Sequence, residues 1–388
     1  MLIMKHIKIR PAHVWMALVV LPVLGLLTSC ASQPHRGHAQ STLKDAFKKD
    51  FLVGVAINEA QFSGKDARGD AIIKSQFNCI SPENALKWES IHPEPDRYNF
   101  GPADRYVEFG EKNGMTIIGH CLVWHNQTPK WVFEDANGNP VDRETLLARM
   151  RDHIHTVVGR YKDRIKAWDV VNEAIFDDGS WRDTPWYRII GEDFIAKAFE
   201  FAHEADPGAD LTYNEYMMED EPKRKGVMAM IRKLQAQGVP ITAIGTQMHE
   251  RMDWPSIDAV DAHLRDLCSL GLKVWVTELD VQVLPDARPW RSMNLTTNAP
   301  LRAQLDLYPN GLPASVERAF SERYAELFRV ILEHADKIDR VTFWGVCDAD
   351  TWLDYWPVAP RKDYPLLFDR AGRTKPAFDA VIAAAKRR

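Results

Sequence analysis

The sequence predicts a single (β/α)8 barrel of the α/β class, on three observations. Eight short apolar runs rich in β-branched residues alternate with longer amphipathic segments, as a parallel sheet covered by helices requires. The 388 residues suit one eight-fold barrel, which needs about 250 residues plus insertions. No Gly-x-Gly-x-x-Gly follows the first run, so an open sheet with a dinucleotide crevice is not indicated.

The strand candidates are Phe51–Ile57, Phe77–Ile80, Met115–His120, Ala167–Val171, Leu211–Tyr213, Ala243–Met248, Lys273–Thr277 and Val341–Gly345. Between them, helical patterns run over Ala103–Lys112, Arg143–Tyr161, Phe194–Ala205, Pro222–Gln237, Ile257–Leu270 and Val316–Ala335. Two connections stand out. Asp135–Asp142 (DANGNPVD) is rich in turn formers. Leu284–Pro313 contains five prolines and no clear period, and long loops of this kind inside a compact domain are functional or disordered. It follows the seventh strand, so Trp290 or Tyr308 would stand at the barrel mouth, where stacking on substrate and loop packing remain equal alternatives.

The first thirty residues read as a targeting segment. Lys5, Lys8 and Arg10 precede the apolar run Val14–Leu27, which is too short for a spanning helix of about 20 residues. It ends in Leu27-Thr28-Ser29-Cys30, which is similar to a bacterial lipobox, so Cys30 is expected to carry the lipid of an anchored lipoprotein. Residues 31–41 are then a polar tether and 42–388 the catalytic barrel. The expected location is the cell envelope, at the outer membrane or cell surface rather than freely secreted. Cys79, Cys121, Cys268 and Cys347 form no Cys-x-x-Cys pair, so free thiols are expected and no zinc site.

An apolar fraction of 45%, a charged fraction of 27% and a formal charge of −5 describe a soluble globular protein without a basic stripe. No nucleic-acid motif is present, and nucleic acid is not an expected partner. A monomer is expected.

In a barrel of this kind the strand–helix loops open on one face, so reactive residues lie at the C-terminal ends of strands. Those positions hold Glu83, Asn84, Lys87 and Trp88 after the second strand, and His120, Trp124 and His125 after the third. Asn172 and Glu173 follow the fourth, Gln247 and His249 the sixth, Glu278 and Asp280 the seventh, Trp344 and Trp352 the eighth. Glycosidic cleavage needs two carboxyls, one to protonate the leaving oxygen and one to attack or to activate water. Glu173 and Glu278 are the candidates. Gln247 and His249 lie two apart, as do Glu278 and Asp280, so each pair shares a side of its strand. His249 with Asp280 is therefore expected to orient Glu278. Trp88, Trp124, Trp344 and Trp352 are expected to wall a sugar groove, since indole faces stack on pyranose rings.

Glu83-Asn84-Ala85-Leu86-Lys87-Trp88, Gly119-His120-Cys121-Leu122-Val123-Trp124-His125, Trp168-Asp169-Val170-Val171-Asn172-Glu173, Thr277-Glu278-Leu279-Asp280 and Phe343-Trp344-Gly345 resemble, in order, the signatures of the glycoside hydrolase family 10 xylanases. The resemblance runs from about Phe51 to the C-terminus. It implies an endo-β-1,4-xylanase that retains anomeric configuration, needs no cofactor or metal, and acts on xylan and xylo-oligosaccharides. It implies Glu173 as acid/base, Glu278 as nucleophile and Asn172 as partner of the sugar 2-hydroxyl. Glu83, Asn84, Lys87, His120, Trp124, Gln247, His249, Trp344 and Trp352 would line the sugar sites upstream of the bond. Met248 and Glu250 depart from the family, where many members carry Gly and an aromatic, and this predicts an altered subsite at Glu250.

Three rivals are weighed against this reading. A metal-dependent hydrolase would place His-x-His after the first strand, where Asn58-Glu59 stands, and the pair His153 and His155 lies in a predicted helix whose residues two apart diverge by roughly 200°. A catalytically silent glycan-binding lipoprotein would not need both glutamates with their supports. A related glycanase acting on glucans differs only in steric room near Lys87 and Trp352.

Overall fold

The computed structural model describes residues 41–386. Cys30, the targeting segment and nearly all of the tether lie outside the described residues.

Nine strands form among the described residues: β1 (Leu52–Ile57), β2 (Cys79–Pro82), β3 (Thr116–Val123), β4 (Ala167–Asn172), β5 (Asp210–Glu215), β6 (Ala243–Thr246), β7 (His249–Arg251), β8 (Lys273–Gln282) and β9 (Ile338–Phe343). Eight of them close a parallel barrel. Neighbours in sequence pair from β1 to β6, β6 pairs with β8, and β9 pairs with both β8 and β1. β7 is a three-residue extension beside the end of β8, with His249 opposite Asp280.

All eight expected strands are present, because runs buried on both faces must be apolar throughout. The sixth differs. Instead of continuing to Met248 it stops at Thr246, Met248 turns into the left-handed region (φ 55°), and β7 resumes at His249. The expected helices form, including Arg143–Arg160, started by the Asp142 carboxylate on the Thr145 N–H, and Ile257–Cys268, started likewise by Ser256.

Inside the barrel, Cys79, Ile118, Ala167, Ala243 and Trp275 fill one layer, leaving polar residues to line the C-terminal mouth. Outside it, Trp168 and Phe199 are completely buried in the main core between strands and helices. Burial of one such ring contributes roughly 2–3 kcal/mol. No helix among the described residues is long and apolar enough to cross a membrane. Cys79, Cys121, Cys268 and Cys347 are free, three of them buried.

Asp135 closes its turn by accepting bonds from the Asn137 and Asn139 N–H groups (2.8 and 2.9 Å). The stretch Leu284–Pro313 is more ordered than its composition predicts. It contains a helix at Ala299–Leu305, and Ala287, Leu295, Leu301 and Leu305 form a satellite core with Val358 from the loop after β9. Asp363 caps its start by accepting from Val283 N–H (2.9 Å).

Candidate active site

Glu173 follows β4 directly, and its backbone adopts φ 58°, a left-handed conformation that non-glycine residues rarely take. Its main chain is locked there. The Glu173 N–H donates to the Asn214 carbonyl (3.0 Å), and Arg182 Nε donates to the Glu173 carbonyl (2.9 Å). The side chain accepts three bonds: from Trp124 Nε1 to Oε2 (3.0 Å), and from Gln247 Nε2 (3.0 Å) and Asn172 Nδ2 (3.2 Å) to Oε1.

Glu278 lies within β8, buried at the mouth. Oε1 accepts from Asn214 Nδ2 (2.7 Å), and Oε2 lies 3.3 Å from His249 Nε2. On its other side His249 Nδ1 stands 3.0 Å from Asp280 Oδ1. Burial alone would push this imidazole down. The Asp280 charge outweighs it, together with the bonds to Asp280 and Glu278, and lifts His249 to about 10. It is an imidazolium at neutral pH.

Asn214 was not anticipated. It is fully buried in β5 and donates to Asn172 Oδ1 (2.9 Å) as well as to Glu278, while Thr277 Oγ1 donates to Asn214 Oδ1 (2.7 Å). One amide thus connects the residues that hold both carboxylates. The signal was available, because Asn214 stands at the C-terminal end of the fifth strand, one residue beyond the expected limit. Asp169 was also missed. Its carboxylate orients His120 through Nδ1 (3.0 Å), both groups being buried.

The remaining expected residues gather at the same mouth. Lys87 Nζ donates to Asn84 Oδ1 (3.1 Å) and Gln127 Oε1 (2.8 Å) and sits 5.0 Å from the Trp124 ring centroid. Burial pushes Lys87 down, against the charges of Cys121, Glu278, Glu83 and Glu173. Burial and Asp350 push Glu83 up to about 7, opposed by Lys87 and Asn58. Trp344 packs edge-on against His120 (5.3 Å) and His249 (6.4 Å), and Trp352 tilts against His249 (5.0 Å) while its Nε1 donates to Asp280 Oδ2 (2.8 Å). Trp124, Trp344 and Trp352 are half-buried walls of this mouth.

Two expectations are corrected. Trp88 is not a groove wall. It is buried at the start of a short helix after β2, stacked 3.7 Å from the His153 ring and packed on Trp186. Glu250 forms no part of the groove either. Alternation along β7 turns it opposite to His249, into a buried position 3.6 Å from Arg323 Nη2. A family difference at that position therefore lies beneath the mouth and not on its surface.

The family model for glycosyl hydrolase family 10 matches residues 42–384. The chain belongs to glycosyl hydrolase family 10. Among family 10 relatives, it is 43% identical over 343 residues to endo-1,4-beta-xylanase A of Xylanibacter ruminicola, covering 88% of this chain and 93% of that one. It is 40% identical to a beta-1,4-xylanase of Dictyoglomus thermophilum, covering 89% and 92%. Among solved structures it is similar to a family 10 endoxylanase from a sugarcane soil metagenome, with a TM-score of 0.84, 45% identity, and coverage of 89% of this chain and all of that one. It is also similar to a xylanase from Paenibacillus barcinonensis solved with a conduramine derivative (TM-score 0.80, 38% identity, 88% and 98% covered).

Proposed function

We propose that this family 10 chain is a retaining endo-1,4-β-xylanase in which Glu278 is the nucleophile and Glu173 the acid/base. The observation that carries the assignment is the asymmetry between the two carboxylates. Glu278 faces the His249 imidazolium, a counter-charge for an anionic nucleophile, whereas Glu173 is held only by neutral amide and indole donors. That suits a group that must give a proton and then take one.

In the first step a Glu278 oxygen bonds to the anomeric carbon as the glycosidic C–O bond breaks, and Glu173 delivers its proton to the departing oxygen. In the second, Glu173 takes a proton from water, which attacks the same carbon and releases Glu278. Asn172, held by Asn214 and Gln247, stands beside Glu173 where the sugar 2-hydroxyl would lie. Xylan as substrate is supported by the relatives, which are named as xylanases.

Reducing-sugar release should be high on xylan and low on a soluble cellulose derivative. Glu278→Ala should abolish it. Glu173→Ala should lose xylan hydrolysis yet still release a good aryl leaving group in a burst. Wild-type rates from either variant on xylan would refute the roles.

The reading includes an envelope location, with Cys30 carrying the anchor. Its support is the basic n-region, the short apolar run and the Leu-Thr-Ser-Cys ending. A fatty-acid analogue should label the wild type and not Cys30→Ala, and an unlabelled wild type would refute anchoring.

A further inference from the structure

Beyond Trp352 the aromatic wall continues outward. Trp352 stacks on Trp356 (centroids 5.2 Å apart, planes 26°), and the Arg291 guanidinium lies 5.0 Å from the Trp356 ring centroid. With the 5.0 Å tilted contact from His249 to Trp352, a continuous chain of ring contacts runs from His249 to the exposed Trp356. Its outer end is a cation. Trp356 is 39% exposed and Arg291 is exposed.

Two features make this a built position. The backbone around Arg291 is clamped to the segment that carries Trp356, with Ser292 N–H donating to Pro357 O (3.0 Å) and Leu295 N–H to Ala359 O (2.8 Å). Moreover, the two arginines of this turn differ. Arg288 is paired with Asp286, with Nη2 at 2.8 Å and Nε within 3.1 Å, and its Nη1 donates to Met217 Sδ (3.0 Å). Arg291 makes no ion pair among the described residues and has only the indole face as a partner. A guanidinium laid on an aromatic ring keeps its edge donors free, in a planar fork that matches a carboxylate.

We propose that Arg291, held against Trp356, recognises the carboxylate of an acidic sugar substituent carried by a xylan unit bound beside Trp352. This deepens the xylanase reading by naming a substrate class, and it rests on that reading. Trp352 and Arg291 both pack against the Trp356 ring, so the indole serves as a platform for the cation. The contact is partly exposed, so its effect is moderate and falls as salt screens it.

The test compares two xylo-oligosaccharides that differ in one group: one bears a uronic acid branch, the other the same branch with its carboxyl reduced to an alcohol. For wild type at low ionic strength, kcat/KM should favour the acidic substrate by about 5- to 10-fold. The ratio should fall towards one in Arg291→Ala and at high salt, and be reduced in Arg291→Lys and Trp356→Leu. It is internal to each preparation, so poor folding of a variant does not imitate the result. A wild-type ratio of one, or a ratio that survives Arg291→Ala, overturns the inference while leaving the xylanase reading intact. No cleavage of either substrate overturns both.

Discussion

Asn214 shows how much one buried amide governs. Its NH2 group reaches Glu278 and Asn172 at once, and Thr277 fixes which way the amide points. Asn214→Ala should lower kcat by about 100-fold with a smaller change in KM, the pattern of a lost positioning contact. Steady-state kinetics on a xylo-oligosaccharide checks this, and an unchanged kcat would show that the amide only fills space. Glu83 makes a second prediction. With its carboxyl pushed up to about 7 by burial and by Asp350, it is neutral below that pH and ionised above it. KM should therefore bend near pH 7, and Glu83→Gln should remove the bend, whereas a wild-type KM flat from pH 6 to 8 would refute it. Glu173, Glu278, His249 and Asp280 were legible because strand ends in a barrel point at one place. Asp169 was not, because a polar residue inside an apolar run carries no period that marks what it touches, and Asn214 was missed because the fifth strand runs past Tyr213, where its apolar pattern ends.

The elements explain why the amides fit. Gly245 in β6 leaves the space that Asn214 occupies: a Cβ there would lie 2.5 Å from Asn214 Oδ1 and 2.9 Å from the Thr277 methyl. Gly245→Ala should cost about 1–3 kcal/mol in denaturant unfolding and at least 10-fold in kcat, since the displaced amide moves both carboxylates. Full activity in this variant would mean that the network tolerates displacement. Strands and long helices were readable from pattern alone. The break between β6 and β7 was not, because it depends on the sign of one dihedral at Met248, to which hydrophobic periodicity is blind. The helix Ala67–Gln76 escaped for a different reason: it buries little beyond the adjacent pair Ile72 and Ile73, too short a stripe to repeat.

At the scale of the whole molecule, buried histidines set opposite pH limits. His92 and His153 touch through their Nδ1 atoms (3.2 Å) beneath Trp88, and burial pushes both down. A depressed base binds protons better unfolded, so this contribution is present above the unfolded value of about 6.5 and is lost as pH falls below it. His249 is the reverse. Lifted to about 10, it contributes stability that is complete below about 6.5 and lost as pH rises towards 10. Tm against pH should form a dome, with His153→Phe flattening the acid limb and His249→Gln the alkaline one. Thermal melts across pH 4 to 10 check this, and limbs unaltered in both variants would exclude the two sites as their source.

The left-handed backbone at Glu173 sets the fold's preference against its chemistry. A glutamate there carries about 1–2 kcal/mol of conformational penalty that an asparagine largely escapes. Glu173→Asn should thus be inert yet unfold at higher denaturant than Glu173→Gln, which keeps the penalty. Selection for durability alone would favour replacing Glu173, and only a demand on its carboxyl keeps a glutamate at this backbone.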